Sequence, residues 1–392
     1  MISLLIAIIY VAFISLGLPD SLLGAGWPAI HVELGVGLSL AGIITCIITL
    51  GTVVSSLASD ALTRKLGAGL VTAVSVLMTA VSLWGFGISK SFAVMCLWAV
   101  PYGLGAGAVD AALNNYVALH YSARHMSWLH CFWGVGASIS PYIMAECLAA
   151  SNWRHGYTTV SLIQIILSAV IFASLPLWKK ASSNSEEIEN SVPLSLFKAL
   201  KIRGVPYMLT AFFAYCGVET TTGLWASTYL VTHRGVDVET AARFASLFYL
   251  GITFGRFVCG FFTQLFSDKA LIRIGLAVLS VGIILVVLPL KTTAVSLAGL
   301  IIIGLGGAPI YPSIIHSTPD NFGRENSQAI IGIQMASAYT GSTLLPPVFG
   351  FIAEHVSSAL YPVYLAIFII ITIIMTERLN WIKINKTENN SN

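Results

Sequence analysis

The strongest candidates for chemistry among the ionisable side chains inside long apolar runs are Asp20, Asp110, His130, Glu146, Glu219 and Arg256. A charge near the middle of a hydrocarbon layer costs at least about 2.5 to 3.5 kcal/mol, so such groups mark proton paths, solute contacts or ion pairs. Asp110 lies in GLGAGAVDAALNNYV, where Gly103, Gly107, Asp110 and Asn114 fall on one helix face. That stripe suits a cavity wall, where a carboxylate can load a proton on one side of a membrane and release it on the other. The alternative is a permanent ion pair with a basic neighbour. Asp20, directly after Pro19, either shares that proton task or lines an outer vestibule.

His130 and Trp133 are three residues apart and face one way. A flat ring beside amide or imidazole groups is the chemistry a sugar needs, because each buried hydroxyl requires a partner. Packing or interface anchoring is the competing reading for Trp133, and a structural hydrogen bond for His130. Gln164 and Gln334 are further amides in mid-run positions that could meet a polar solute. Glu219 lies in FFAYCGVETTTGLWASTYL, a stretch of glycines and threonines where a helix is expected to weaken and face a cavity. It reads as a proton carrier or hydroxyl acceptor, and Arg256 as half of an ion pair.

The elements that must position these groups follow from composition. Of 392 residues, 56% are hydrophobic and 9% charged, far from the roughly 25% charge of a soluble domain. Crossing a bilayer takes about 20 apolar residues, and such runs are predicted at 3–29, 38–59, 69–88, 92–119, 126–149, 157–178, 205–231, 241–266, 271–290, 294–317, 326–352 and 357–377. The fold class expected is therefore an all-α membrane protein of twelve transmembrane helices. With the N-terminus inside, 14 cations fall on the cytoplasmic side and 5 outside, which predicts cytoplasmic termini. No Lys or Arg precedes the first run, so it reads as a retained helix and not a signal peptide. The six cysteines lie within apolar runs at unpatterned spacing, which implies neither a disulfide framework nor a metal site.

Residues 179–204 form the one long polar stretch between runs and read as a cytoplasmic linker. It separates an N-terminal bundle, 1–178, from a C-terminal bundle, 205–392. The two echo each other: Gly103-Leu104-Gly105 matches Gly304-Leu305-Gly306, Leu50-Gly51 matches Leu250-Gly251, and Gly136 with Pro141 matches Gly341 with Pro346. Two related six-helix bundles are an arrangement in which a solute site lies at mid-bilayer.

The loop SLASDALTRK resembles the major facilitator signature G-x-x-x-D-R-x-G-R-R, with Asp60, Arg64 and Lys65 in place and departures at Ser56, Ala61 and Thr63. The resemblance implies a conformational clamp at the cytoplasmic helix ends. Its duplicate, GFFTQLFSDK, keeps Gly260 and Lys269 but has Gln264 where the acid would stand. Within that superfamily the chain is similar to the fucose and glucose proton symporter branch. That likeness places the branch's protonatable acid on Asp110 and the following amide on Asn114. A G-x-E pattern falls on Gly217 and Glu219, and a G-L-x-x-A-P-I-x-P pattern on Gly304, Leu305, Ala308, Pro309, Ile310 and Pro312.

The expected function is proton-coupled symport of a monosaccharide or similar small polar solute, by a monomer in the cell membrane, of a kind found in bacterial inner membranes. Proton carriers are Asp110, Asp20 and Glu219; solute contacts are Asn114, His130, Trp133, Gln164, Glu219 and Gln334. The alternatives are an exporter of drugs or metabolites, driven by proton antiport, and a non-transporting sensor. No nucleophile–base or metal-ligand spacing suggests an enzyme or a cofactor, and the scattered cations form no nucleic-acid patch.

Overall fold

The computed structural model describes residues 2–37, 40–182, 194, 196–236, 238–288 and 294–391. Seven helical stretches are long and apolar enough to cross a bilayer, and two of them, Ala41–Ile88 with 48 residues and Ser327–Ile382 with 56, are long enough to cross twice. The first doubles back at Gly67, whose φ of +77° only glycine adopts without strain. Outside that apolar set stand the fifth, seventh and eighth crossings, Ala123–Ala150, Val205–Arg234 and Val238–Phe262. These three carry His130 and Trp133, Glu219, and Arg256. The chain is an all-α membrane protein of twelve transmembrane helices in two pseudo-symmetric six-helix bundles.

Lipid tails are as apolar as leucine, so helices in a bilayer associate through close backbone approach at small residues. The paired glycines do this twice over. A side chain on Gly136 would collide with the Ile14 carbonyl, seating the fifth span on the first, and one on Gly341 would collide with the Phe213 carbonyl, seating the eleventh on the seventh. In the same way Gly103 lies on Ile48 and Gly304 on Phe248, joining the fourth span to the second and the tenth to the eighth. Lipid-facing positions such as Leu97, Leu224, Leu250, Phe261 and Ile284 are correspondingly exposed.

By contacts the chain divides into two compact units. One holds Met1–Tyr116, Leu129–Ser195 and Arg324–Ala336; the other holds Val117–Trp128, Leu196–Gly323 and Ser337–Asn392. In the first, Arg154 pairs with Glu33, Trp153 Nε1 donates to the same carboxylate at 2.5 Å, and Arg154 Nη2 donates to the Ser89 carbonyl at 3.0 Å. That clasp ties the ends of the first, third and sixth spans.

The structure differs from the sequence reading in where helices break. The seventh span is continuous over Val205–Arg234. Thr220 and Thr222 donate to the carbonyls of Cys216 and Val218, both at 2.8 Å, so their hydroxyls are served within the helix and do not unwind it. Breaks occur instead in the first span, between Ile2–Asp20 and Leu22–Glu33, and in the tenth, between Ala294–Gly307 and Ile310–His316. The twelfth helix runs on from Tyr361 to Ser391, beyond the apolar run at 357–377. Of the linker, residues 183–193 and 195 lie outside the described residues. So do Lys291 and the side chains of Lys179, Lys180, Arg243, Lys383 and Lys386, which entered the cation count.

Candidate functional site

Proline shapes the first unit's site. Pro19 has no N–H to give the Ser15 carbonyl one turn back, and in a bilayer an unserved carbonyl costs several kcal/mol. Gln164 supplies the missing donor: its Nε2 lies 2.6 Å from the Ser15 oxygen, while its Oε1 accepts from Thr79 at 2.8 Å. Pro141 in the fifth span likewise leaves the Ala137 carbonyl unserved by its own helix, and Ser21, at the break of the first span, donates to it at 2.5 Å. Gln164 is fully buried, with both ends of its amide committed to holding the sixth span to its neighbours.

At this break the helix Ile2–Asp20 ends and the Asp20 carboxylate is exposed. Asp20 Oδ2 accepts from Trp133 Nε1 at 2.9 Å and Oδ1 from the Tyr102 hydroxyl at 3.3 Å. Deeper in the unit, Asn114 Nδ2 donates to Asp110 Oδ1 at 2.8 Å, and Asn114 Oδ1 lies 3.0 Å from His130 Nε2. Since Asn114 turns its oxygen to the ring, His130 carries a hydrogen on Nε2 and donates it. Asp110, Asn114 and His130 are buried, with the His130 ring edge-on to Phe13 at 5.4 Å. His130 and Trp133 stand three residues apart on one continuous helix, yet His130 meets the Asn114 amide and Trp133 the Asp20 carboxylate. Gly103 and Gly107, expected on a cavity wall, press instead against the second span, where Ser56 donates to the Gly107 carbonyl at 3.2 Å; absence of side chains there brings the backbones together.

In the second unit Glu219 Oε1 and Oε2 lie 3.3 and 3.4 Å from Arg256 Nη2. Tyr215, one turn earlier, has its hydroxyl 2.7 Å from Glu219 Oε2. The Arg256 side chain is only 3% exposed and Glu219 18%, so the carboxylate is the reachable end of the pair. Tyr311 places its ring 5.9 Å from the guanidinium.

Of the clamp residues, Asp60 Oδ1 accepts from Arg64 Nε at 2.9 Å, Arg64 Nη2 donates to the Glu325 carbonyl at 3.1 Å, and Lys65 is exposed. Nearby in the same unit Ser327 donates to Asn115 Oδ1 at 2.6 Å and Gln328 Nε2 to Ser59 at 3.3 Å. Gln334 is buried in this segment of the eleventh span. Sequence reasoning missed Tyr102 and Tyr215, which meet acids, and the pair of His316 Nδ1 with Asp268 Oδ2 at 2.7 Å. Asp268 stands four residues beyond Gln264, so the second repeat does carry an acid at that end. Tyr215 was findable, since it precedes Glu219 by one helical turn; Tyr102 and His316 meet partners far away in sequence.

The family model for the Major Facilitator Superfamily matches residues 9–245 and 207–389. The glucose/mannose transporter GlcP of Bacillus subtilis is 20% identical over 250 residues, 62% of this chain and 61% of that protein. The chain spans about three fifths of the length of the first curated relatives it matches. The quinolone resistance protein NorA of Staphylococcus aureus (strain COL) is 22% identical over 366 residues, 92% of this chain and 91% of that protein. Among solved structures, one of the E. coli fucose:proton symporter FucP superposes with a TM-score of 0.72 at 17% identity, covering 95% of this chain and 98% of that one. With the family model matched along nearly the whole chain, the protein belongs to the Major Facilitator Superfamily, a family of membrane transporters.

Proposed function

We propose that the chain is a proton-coupled symporter of a monosaccharide or similar small polar solute, working by alternating access as a monomer in the cell membrane with both termini cytoplasmic. The observation that supports this best is the first unit's pair of carboxylates, Asp20 at a helix break and Asp110 in a buried network, both met by neutral donors, Trp133, Tyr102 and Asn114. Carboxylates held by neutral hydrogen bonds keep their partners whether protonated or not, which suits a proton carrier. In this reading Asp110 carries the proton, and Asp20, Trp133 and Glu219 face the solute. Asn114 and His130 set the orientation of Asp110, Gln334 remains a solute contact, and Gln164 serves the scaffold. Bundles 1–178 and 205–392 move about the 179–204 linker, and Asp60, Arg64 and Lys65 clamp the cytoplasmic helix ends. The likeness to GlcP and FucP favours a sugar.

Proteoliposomes test it. Radiolabelled D-glucose, D-mannose and L-fucose are offered with an inward proton gradient, and at least one is expected to accumulate uphill. Asp110→Asn should retain exchange of that sugar and lose accumulation, because a group that cannot release its proton cannot couple the gradients. Trp133→Ala should weaken sugar binding without unfolding the protein. Sugar accumulation by Asp110→Asn at the wild-type level would sink the assignment.

A proton-driven exporter is the second reading, favoured by the match to NorA along 92% of the chain. It predicts that an outward-directed solute flux, and not uptake, follows when protons enter.

A further inference from the structure

The Tyr215 hydroxyl has two short contacts. Besides Glu219 Oε2 at 2.7 Å, the carbonyl oxygen of Gly307 also lies at 2.7 Å. A phenol has one hydrogen to donate, and both neighbours are pure acceptors while Glu219 is ionised. One of the two contacts is then a hydrogen bond, and the other sets two oxygens together with no hydrogen between them. With Glu219 protonated the chain runs one way: the carboxyl donates to Tyr215, and Tyr215 donates to Gly307. Every oxygen is served, and each bond strengthens the next. Gly307 is the last residue of Ala294–Gly307, immediately before the break at Ala308 and Pro309.

We propose that Tyr215 is a positioning residue that carries the protonation state of Glu219 to the break in the tenth span. While Glu219 is ionised, Arg256 and Tyr215 both donate to it. When the carboxylate takes a proton from water, the Tyr215 hydrogen turns to the Gly307 carbonyl without leaving its own oxygen. The titratable groups around the pair are Arg256 and Tyr249 from the eighth span, Tyr311 from the tenth, and Cys216 beside Tyr215 on the seventh. Of these Arg256 is the charged one, and its nitrogen reaches both Glu219 oxygens, so the carboxyl stays in place in either state. The relay takes its meaning for transport from the proton-coupled reading, but its chemistry needs no solute.

The experiment is acid-minus-neutral infrared difference spectroscopy on the full chain in lipid. The expected result is a carboxylic-acid C=O band that Glu219→Gln abolishes and Tyr215→Phe shifts to higher frequency, because the protonated carboxyl has lost its acceptor. Gly307→Ala approaches the relay from its other end: the added methyl would lie 3.0 Å from the Tyr215 oxygen, displacing it and shifting the same band by less. That variant leaves Tyr215 and Glu219 intact, so it decides the matter if Tyr215→Phe does not fold. A purely packing role for Tyr215 would move the melting temperature and not the band. A spectrum with no Glu219-dependent band, or a band unmoved in both variants, overturns the relay. Uptake of D-glucose by wild-type protein in the same vesicles separates the two ideas: the shifted band without uptake keeps the relay and removes the sugar reading, and uptake with an unmoved band removes the relay alone.

Discussion

The two units hold their intramembrane acids in opposite ways. In the first, Asp20 and Asp110 meet an indole, a phenol and an amide; in the second, Glu219 meets the guanidinium of Arg256 as well as a phenol. Neutral donors leave a carboxylate free to change charge, because the hydrogen-bond count survives protonation. A guanidinium makes ionisation part of the packing, since removing either charge strands the other in a low dielectric. The same fold, repeated, thus offers one site whose acids change charge among neutral donors and one whose reachable acid changes charge only against the pull of Arg256.

Loss of folded stability ranks the ways to break or sharpen this contrast. Arg256→Gln should be the most damaging, at about 3 to 5 kcal/mol, because it leaves Glu219 without its cation; thermal melting in detergent reads it, and Glu219→Gln added to Arg256→Gln should recover part of the loss. Recovery would confirm that charge pairing is what separates the units, and an undiminished melting temperature in Arg256→Gln alone would erase the distinction. Next comes Gln164→Leu, expected to cost about 1 to 3 kcal/mol by stranding the Ser15 carbonyl. Pro19→Ala restores a backbone N–H to that carbonyl and should return much of the stability, whereas a glutamine whose only task is to touch solute would show no such rescue.

Asp110→Asn should cost only about 1 kcal/mol or less, because an amide oxygen still accepts from Asn114 Nδ2 and the charged hydrogen bond becomes a neutral one. A loss approaching that of Arg256→Gln would show that Asp110 is held by charge after all and that the two units are alike. Thr220→Val marks the floor. Its hydroxyl bonds its own helix, so a change within about 0.5 kcal/mol and unaltered transport are expected.

Much of the architecture was legible because a bilayer leaves the chain few choices. Apolar runs had to be helices, and Gly136 with Gly341, at matching places in two repeats, marked the same helix contact twice. Where helices break was less legible. The glycines and threonines around Glu219 suggested weakness, but threonine hydroxyls fold back onto the helix, and the real interruptions come just after Pro19-Asp20 and at Ala308-Pro309. Candidate acids were visible from hydrocarbon cost alone, whereas their partners Tyr102 and Trp133 lie 82 and 113 residues from Asp20. Helix spacing reaches only three or four residues, so it could pair Asp110 with Asn114 and not Asp20 with either ring.

The Ser15 carbonyl also has a history during synthesis. Its donor on Gln164 is 149 residues further along the chain. At translation rates of about 5 to 20 residues per second, roughly 7 to 30 seconds pass before that side chain has even been made. Throughout that interval the first span holds a carbonyl that its own helix cannot serve, at a depth where lipid offers no hydrogen. It must therefore linger beside water or the insertion machinery, and its final seat in the bilayer is fixed only when the sixth helix arrives.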